Sequence, residues 1–177
     1  MNHSKKIIAE TKFLRLVERD RWVYVERANA SGVVCVVART ADDRILLVEQ
    51  YRIPVDAQVI ELPAGLAGDS PDQSDEAFEL AAQRELIEET GYRAKRLVRK
   101  ASIAASAGLT NEVITFFIAD GLEKIAAGGG EGRERIVVHE IPLAEADDWL
   151  ADAQAEGKLI DGRIYAGLHF LEQMWES

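Results

Sequence analysis

The sequence predicts an α+β fold, a mixed-sheet sandwich, on three observations. Extended apolar segments outnumber helical ones. One helical segment lies mid-chain between strands, while the others gather in the C-terminal third. No regular strand–helix–strand alternation runs through the chain, which argues against a doubly wound parallel sheet. At 177 residues, 47% hydrophobic and 29% charged, the chain has the size and composition of one soluble globular domain.

Residues 7–27 alternate and carry many β-formers. Phe13, Leu14, Leu16 and Val17 precede the polar break Glu18-Arg19-Asp20-Arg21, and Trp22, Val23, Tyr24 and Val25 follow it, which reads as a hairpin. Val33–Ala38 is a continuous apolar run, the pattern of a buried central strand. Ile45–Glu49 follows a turn at Ala41-Asp42-Asp43, and the short strand Val59–Leu62 ends at Pro63-Ala64-Gly65. Residues 65–75, rich in Gly, Asp, Ser and Pro, read as a loop. Residues 76–90 read as a helix stopped by Gly91. Two strands are expected near 95–104 and 112–119, then a mobile loop at Gly128-Gly129-Gly130 and a strand over Arg135–Ile141. Helices over 143–156 and 161–175 complete the pattern, with no internal repeat.

The net charge of −10 argues against non-specific nucleic-acid binding, which needs clustered Lys and Arg. An acidic chain still binds a phosphorylated ligand where a metal ion and local arginines offset the charge. Cys35, the one cysteine, lies in the apolar run and reads as a buried structural thiol. No apolar stretch reaches the roughly 18 residues of a membrane span, and no apolar h-region follows the N-terminal residues. A cytoplasmic protein is expected.

The mid-chain helix carries an anomaly. At about 100° per residue, Glu85 and Glu89 fall within about 20° of Phe78, inside the apolar stripe that also holds Ala82 and Leu86. Leu80 and Ile87 form a second stripe, so a helix covered on two faces is expected. Like charges one turn apart on an inward face are costly unless a cation lies between them. Mg²⁺, commonly held by one or two carboxylates plus substrate phosphates, fills that role. Glu88 borders the same face. An ion-paired surface helix using Arg84, Arg93 and Lys95 would give the same spacing.

From Glu76 the chain reads seven residues, then Arg84-Glu85-Leu86-Ile87-Glu88-Glu89-Thr90-Gly91-Tyr92. This resembles the Nudix box, G-x5-E-x7-R-E-U-x-E-E-x-G-U, where U is a bulky apolar residue. Ser70 stands where the box begins with glycine; Gly65 lies five residues earlier, which reads as a five-residue insertion. Val48-Glu49-Gln50-Tyr51-Arg52 and Ile136-Val137-Val138-His139-Glu140 resemble strands of the ADP-ribose pyrophosphatase-like branch. In Ser106-Ala107-Gly108, Ala107 replaces that branch's usual proline, which leaves other nucleoside diphosphate sugars open.

The resemblance implies a Nudix-type α/β/α sandwich over residues 31–177, preceded by an N-terminal β-hairpin segment, residues 1–30, used in a homodimer interface. It implies hydrolysis of the pyrophosphate of a nucleoside diphosphate sugar, ADP-ribose-like or GDP-mannose, with Mg²⁺ or a substituting Mn²⁺. The implied metal ligands are Glu85, Glu89, the carbonyl of Ala64, and Glu88. Glu85 and Glu89 are thereby catalytic, together with a general base from the loop before the late strand, Glu134 or alternatively Glu131. Arg84 and Glu76 are expected to hold the loop–helix geometry. Arg52 is the expected phosphate-binding residue, since a guanidinium grips phosphate oxygens in a fork. Glu112 is placed at the terminal sugar or at a further metal, and Trp22 and Tyr24 as base-stacking aromatics lent across the dimer. His139 and His169 lack ligand-spaced partners and read as structural. Two alternatives remain open: a nucleoside triphosphate or dinucleoside polyphosphate substrate, and a non-catalytic Nudix-fold nucleotide sensor. Neither a nucleic-acid nor a membrane partner is expected.

Overall fold

In the computed structural model, which describes residues 4–68, 77–130, 132 and 134–173, the polar break at Asp20-Arg21 is a tight hairpin turn. Both residues take positive φ, 52° and 66°, the conformation whose twist suits antiparallel strands. The turn belongs to a three-stranded antiparallel sheet: β1 (Lys6–Glu10), β2 (Leu14–Arg19) and β3 (Trp22–Arg27). This is one strand more than the hairpin expected. The added strand is set by a side-chain-supported turn, in which the Thr11 hydroxyl accepts hydrogen bonds from the Phe13 and Leu14 N–H groups.

Next come β4 (Gly32–Ala38), β5 (Arg44–Arg52), β6 (Ala57–Glu61) and β7 (Ala64–Ala67), then α1 (Phe78–Thr90), β8 (Tyr92–Arg93), β9 (Arg96–Ala104) and β10 (Val113–Asp120). The chain continues with β11 (Glu123–Lys124), β12 (Val137–Pro142), α2 (Ala146–Ala155), β13 (Leu159–Ile160) and α3 (Arg163–Glu172). Two mixed four-stranded sheets result, in the orders β7-β4-β10-β9 and β12-β5-β6-β13. β10 runs parallel to β4, and β13 parallel to β6.

The apolar run of β4 is explained by its two covered faces. Val33, Cys35 and Val37 pack in one core with Leu47, Ile60, Leu62 and Phe116, and with Leu150 of α2 and Ile164 of α3. Val34, Val36 and Ala38 pack in the other with Leu46, Phe117, and Ala81, Ala82 and Leu86 of α1. Side chains alternate across a strand, so a strand buried on both faces shows no polar alternation. The layering is therefore α1, sheets, α2 with α3, and the expected α+β sandwich is found.

Three local expectations are corrected. The second stripe of α1 is only partly covered: Leu80 is 64% exposed and Ile87 is half-buried. The stretch read as loop from residue 65 opens with β7, paired to β4; residues 69–76 lie outside the described residues. The helix expected from 143 opens with a 3-10 turn, Leu143–Glu145. Gly91 does end α1, with φ 77° and its N–H donating to the Ile87 carbonyl.

Candidate active site

A cavity of about 750 Å³ opens where β6, β7, α1 and the start of α3 meet. Glu85, Glu89 and Glu134 line it, and so do Arg52 and Arg163, which share the carboxylate of Glu61. Arg27 and Glu112 line the same cavity.

Glu89 is 5% exposed in the last turn of α1. Its Oε2 accepts a hydrogen bond from the Ala64 N–H at 3.1 Å. Burial pushes the Glu89 carboxyl up to about 8; the Ala64 N–H opposes the rise, and the nearby carboxylates Glu85, Glu134 and Glu61 add to it. The inward placement of this acid, read from helical spacing, is what the structure has. Glu85, one turn earlier, has a side chain only 12% exposed and lies against β7. Ala64 and Gly65 line the cavity on that strand.

Arg84 ties the helix to the strand. Its guanidinium donates to Glu85 at 2.8 Å, to Glu88 at 3.1 Å and to the Leu66 carbonyl at 2.8 Å. The loop–helix role expected of Arg84 has this physical form; Glu76, its expected partner, lies outside the described residues. Glu88 is engaged with Arg84 and is not among the residues lining the cavity.

Arg52 lines the cavity as a fork already engaged. Its Nε and Nη2 both lie 2.7 Å from Glu61 Oε2. Glu61, 4% exposed, receives Arg163 Nη2 on its other oxygen at 2.9 Å. Arg163 also binds Asp161 Oδ2 at 2.5 Å. Arg163 and Glu61 were not singled out by sequence reasoning. Parallel pairing of β13 with β6 brings them together, placing Ile160 opposite Ile60. Nothing local marks them, since they stand 102 residues apart.

Glu112 pairs with Arg27, another residue missed, at 2.6 Å. The two meet because β3 docks on the loop before β10, with Val25 N–H donating to the Leu109 carbonyl at 2.9 Å. Trp22, 61% exposed, and the half-buried Tyr24 do not line the cavity of their own chain. Glu134 does; Glu131 lies outside the described residues. The triglycine is no free loop, because Gly129 and Gly130 donate to the last carbonyls of α1. His139 bonds Glu49 at 2.9 Å and packs against Trp149 with the rings tilted by 54°, while the exposed His169 meets Gln173. Cys35 is fully buried, and burial pushes its thiol up to about 12.

Among the described residues, no three Asp, Glu, His or Cys side chains are spaced to cage a metal ion unaided. Two largely buried carboxylates lining a cavity that arginines also line form instead a partial site of the kind Mg²⁺ uses, completed by water and phosphate oxygens. Glu85 and Glu89 fit that donor chemistry: hard oxygens, one turn apart, in a site whose excess negative charge favours a cation.

The family model described as NUDIX domain matches residues 28–161. The chain is 32% identical over 142 residues to the methanol dehydrogenase activator of Bacillus methanolicus, spanning 80% of this chain and 72% of that protein. It is 37% identical over 116 residues to the ADP-ribose pyrophosphatase of Bacillus subtilis (strain 168), 65% of this chain and 60% of that one. Over 166 residues it is 30% identical to the GDP-mannose pyrophosphatase of Klebsiella pneumoniae, 89% of this chain and 77% of that one. Its fold resembles the crystal structure of an ADP compounds hydrolase, with a TM-score of 0.72 at 23% identity over 97% of this chain and 91% of that one.

Proposed function

The chain belongs to the Nudix family, and from that premise we propose that it hydrolyses the pyrophosphate bond of a nucleoside diphosphate sugar, releasing a nucleoside monophosphate and a sugar phosphate. The observation that carries this reading is the lining of one cavity, which the carboxylates of Glu85 and Glu89 share with Arg52 and Arg163. A diphosphate is the ligand class that answers arginines directly and carboxylates through a shared cation. Two of the relatives are named for cleaving a nucleotide sugar, one with ADP-ribose and one with GDP-mannose.

Mg²⁺ is the proposed ion, replaceable by Mn²⁺, and Glu85, Glu89 and the Ala64 carbonyl are its proposed protein ligands. When bound, such an ion neutralises phosphate charge and makes water more acidic. Glu88 serves the site through Arg84, which it helps to hold beside Glu85. Glu134 accepts the proton of the attacking water. Arg52 presents its remaining N–H groups to phosphate oxygens, and Glu61 limits its rotation. Glu112, with Arg27, faces the terminal sugar.

The N-terminal sheet is proposed to meet a second copy of the chain. Ile7, Ile8, Phe13, Trp22 and Val23 are all exposed on it, an apolar concentration uncommon on a surface left to solvent. In that arrangement Trp22 and Tyr24 would serve the partner's cavity. The same reading sets the enzyme in the cytoplasm, acting on a small molecule.

The test is hydrolysis of a panel containing ADP-ribose, GDP-mannose, other sugar nucleotides and nucleoside triphosphates, with Mg²⁺ and with a chelator. Metal-dependent release of a nucleoside monophosphate from sugar nucleotides is expected. Cleavage of triphosphates alone would overturn the substrate class, and cleavage of none would overturn the enzyme reading.

A further inference from the structure

The last carbonyls of a helix have no partner inside it. At the end of α1 the triglycine supplies two of those partners. Gly129 N–H donates to the Glu89 carbonyl at 2.8 Å, and Gly130 N–H to the Glu88 carbonyl at 3.0 Å. Ile136 N–H then donates to the Gly129 carbonyl at 3.2 Å, closing the neck of the loop that carries Glu134. The loop therefore hangs from the main chain of Glu88 and Glu89.

Glycine is required along this strap. Gly128, Gly129 and Gly130 have φ of 73°, 108° and 82°, which side chains rarely adopt. A Cβ on Gly128 would lie 2.7 Å from the Glu89 carbonyl oxygen. A Cβ on Gly130 would lie 2.8 Å from both Cβ and Oε2 of Glu134, so that side chain is seated against the bare face of Gly130. Gly132 is a natural control: its φ is also positive, 63°, but a Cβ there meets nothing within 4 Å.

We infer that Gly130, with the strap it ends, is a positioning residue for the reaction: it seats the Glu134 carboxylate at a fixed distance from the Glu85–Glu89 face of α1. The inference rests on the proposed hydrolysis with Glu134 as proton acceptor. Loop and helix then act as one unit, and the acid is registered to the helix through main-chain bonds.

The experiment compares Gly130→Ala, Gly132→Ala, Glu134→Gln and the Gly130→Ala/Glu134→Gln double variant in steady-state hydrolysis with Mg²⁺. Gly130→Ala is expected to lower kcat by at least about tenfold with KM within about threefold, since small misplacement of a catalytic group costs this much or more. Gly132→Ala should stay within about threefold of the wild type. Added to Glu134→Gln, Gly130→Ala should cost no more than about twofold further, because the group it positions is already lost. Equal losses from the two glycine variants, or losses that multiply in the double variant, would overturn the positioning role. A wild-type chain that cleaves nothing would overturn the hydrolysis itself. Should Gly130→Ala not fold, amide exchange in the unaltered chain decides: Gly129 and Gly130 should be protected, and exchange at the rate of an unstructured glycine would remove the strap.

Discussion

The Glu85 carboxylate occupies the space a side chain at position 65 would need: a Cβ on Gly65 would lie 1.9 Å from Glu85 Cδ. Strand β7 passes the acidic face of α1 only because it is bare there. Gly65→Ala should therefore drive Glu85 off its place. The expected outcome is at least about a tenfold fall in kcat/KM, a higher Mg²⁺ requirement, and a stability loss of about 1–3 kcal/mol from overpacking. Kinetics titrated with Mg²⁺ and urea melts check this; an unchanged Mg²⁺ requirement would refute the displacement.

Glu89→Gln separates function from stability. The buried carboxyl is held up to about 8, chiefly by burial, so near neutral pH folding without a metal forces it to take up a proton, and a neutral isostere removes that cost. The variant should lose most hydrolysis yet be at least as stable as the wild type in chelator, measured by thermal melting. A clear loss of stability in chelator would show that the charge is compensated by groups other than a metal ion.

The sandwich was legible because its signals are local. A strand buried on both faces writes itself as the unbroken run Val33–Ala38, and helical spacing alone turns Glu85 and Glu89 inward. What escaped depends on distant pairing. Glu61 and Arg163 meet through the β6–β13 register, and Arg27 meets Glu112 through the docking of β3. The triglycine misled for the opposite reason: glycines read as freedom, whereas here positive φ lets main-chain N–H groups reach the end of α1.

Arg163 gives the third prediction. Its guanidinium links Glu61 and Asp161, and removing one partner of a buried ion pair leaves the other uncompensated. Arg163→Met should cost about 3 kcal/mol, near the low end for such a loss, because Arg52 still holds Glu61. Arg163→Lys restores the charge but not the fork, and should recover only part of that stability. Urea melts of the two variants are the check; Met equal to wild type would mean that the bridge contributes nothing.

Burial alone would raise the Glu49 carboxyl, but the hydrogen bonds from His139 and Lys158, reinforced by their charges, outweigh it and hold it below its ordinary 4.5. Those bonds measure 2.9 Å and 3.2 Å. Well above 4.5 the carboxyl is ionised in both folded and unfolded chains, so its contribution to stability is complete. As the pH falls below that value the unfolded chain binds the proton first. Stability then declines with each further step, until the folded carboxyl is protonated too and the contribution is gone. Comparison with Glu49→Gln in urea melts from about pH 6 to about pH 3 isolates this group from the other carboxylates. The wild-type advantage should be constant in the upper part of that range and shrink in the lower part. An advantage that persists unchanged to the acid end would mean that His139 and Lys158 do not hold the charged form.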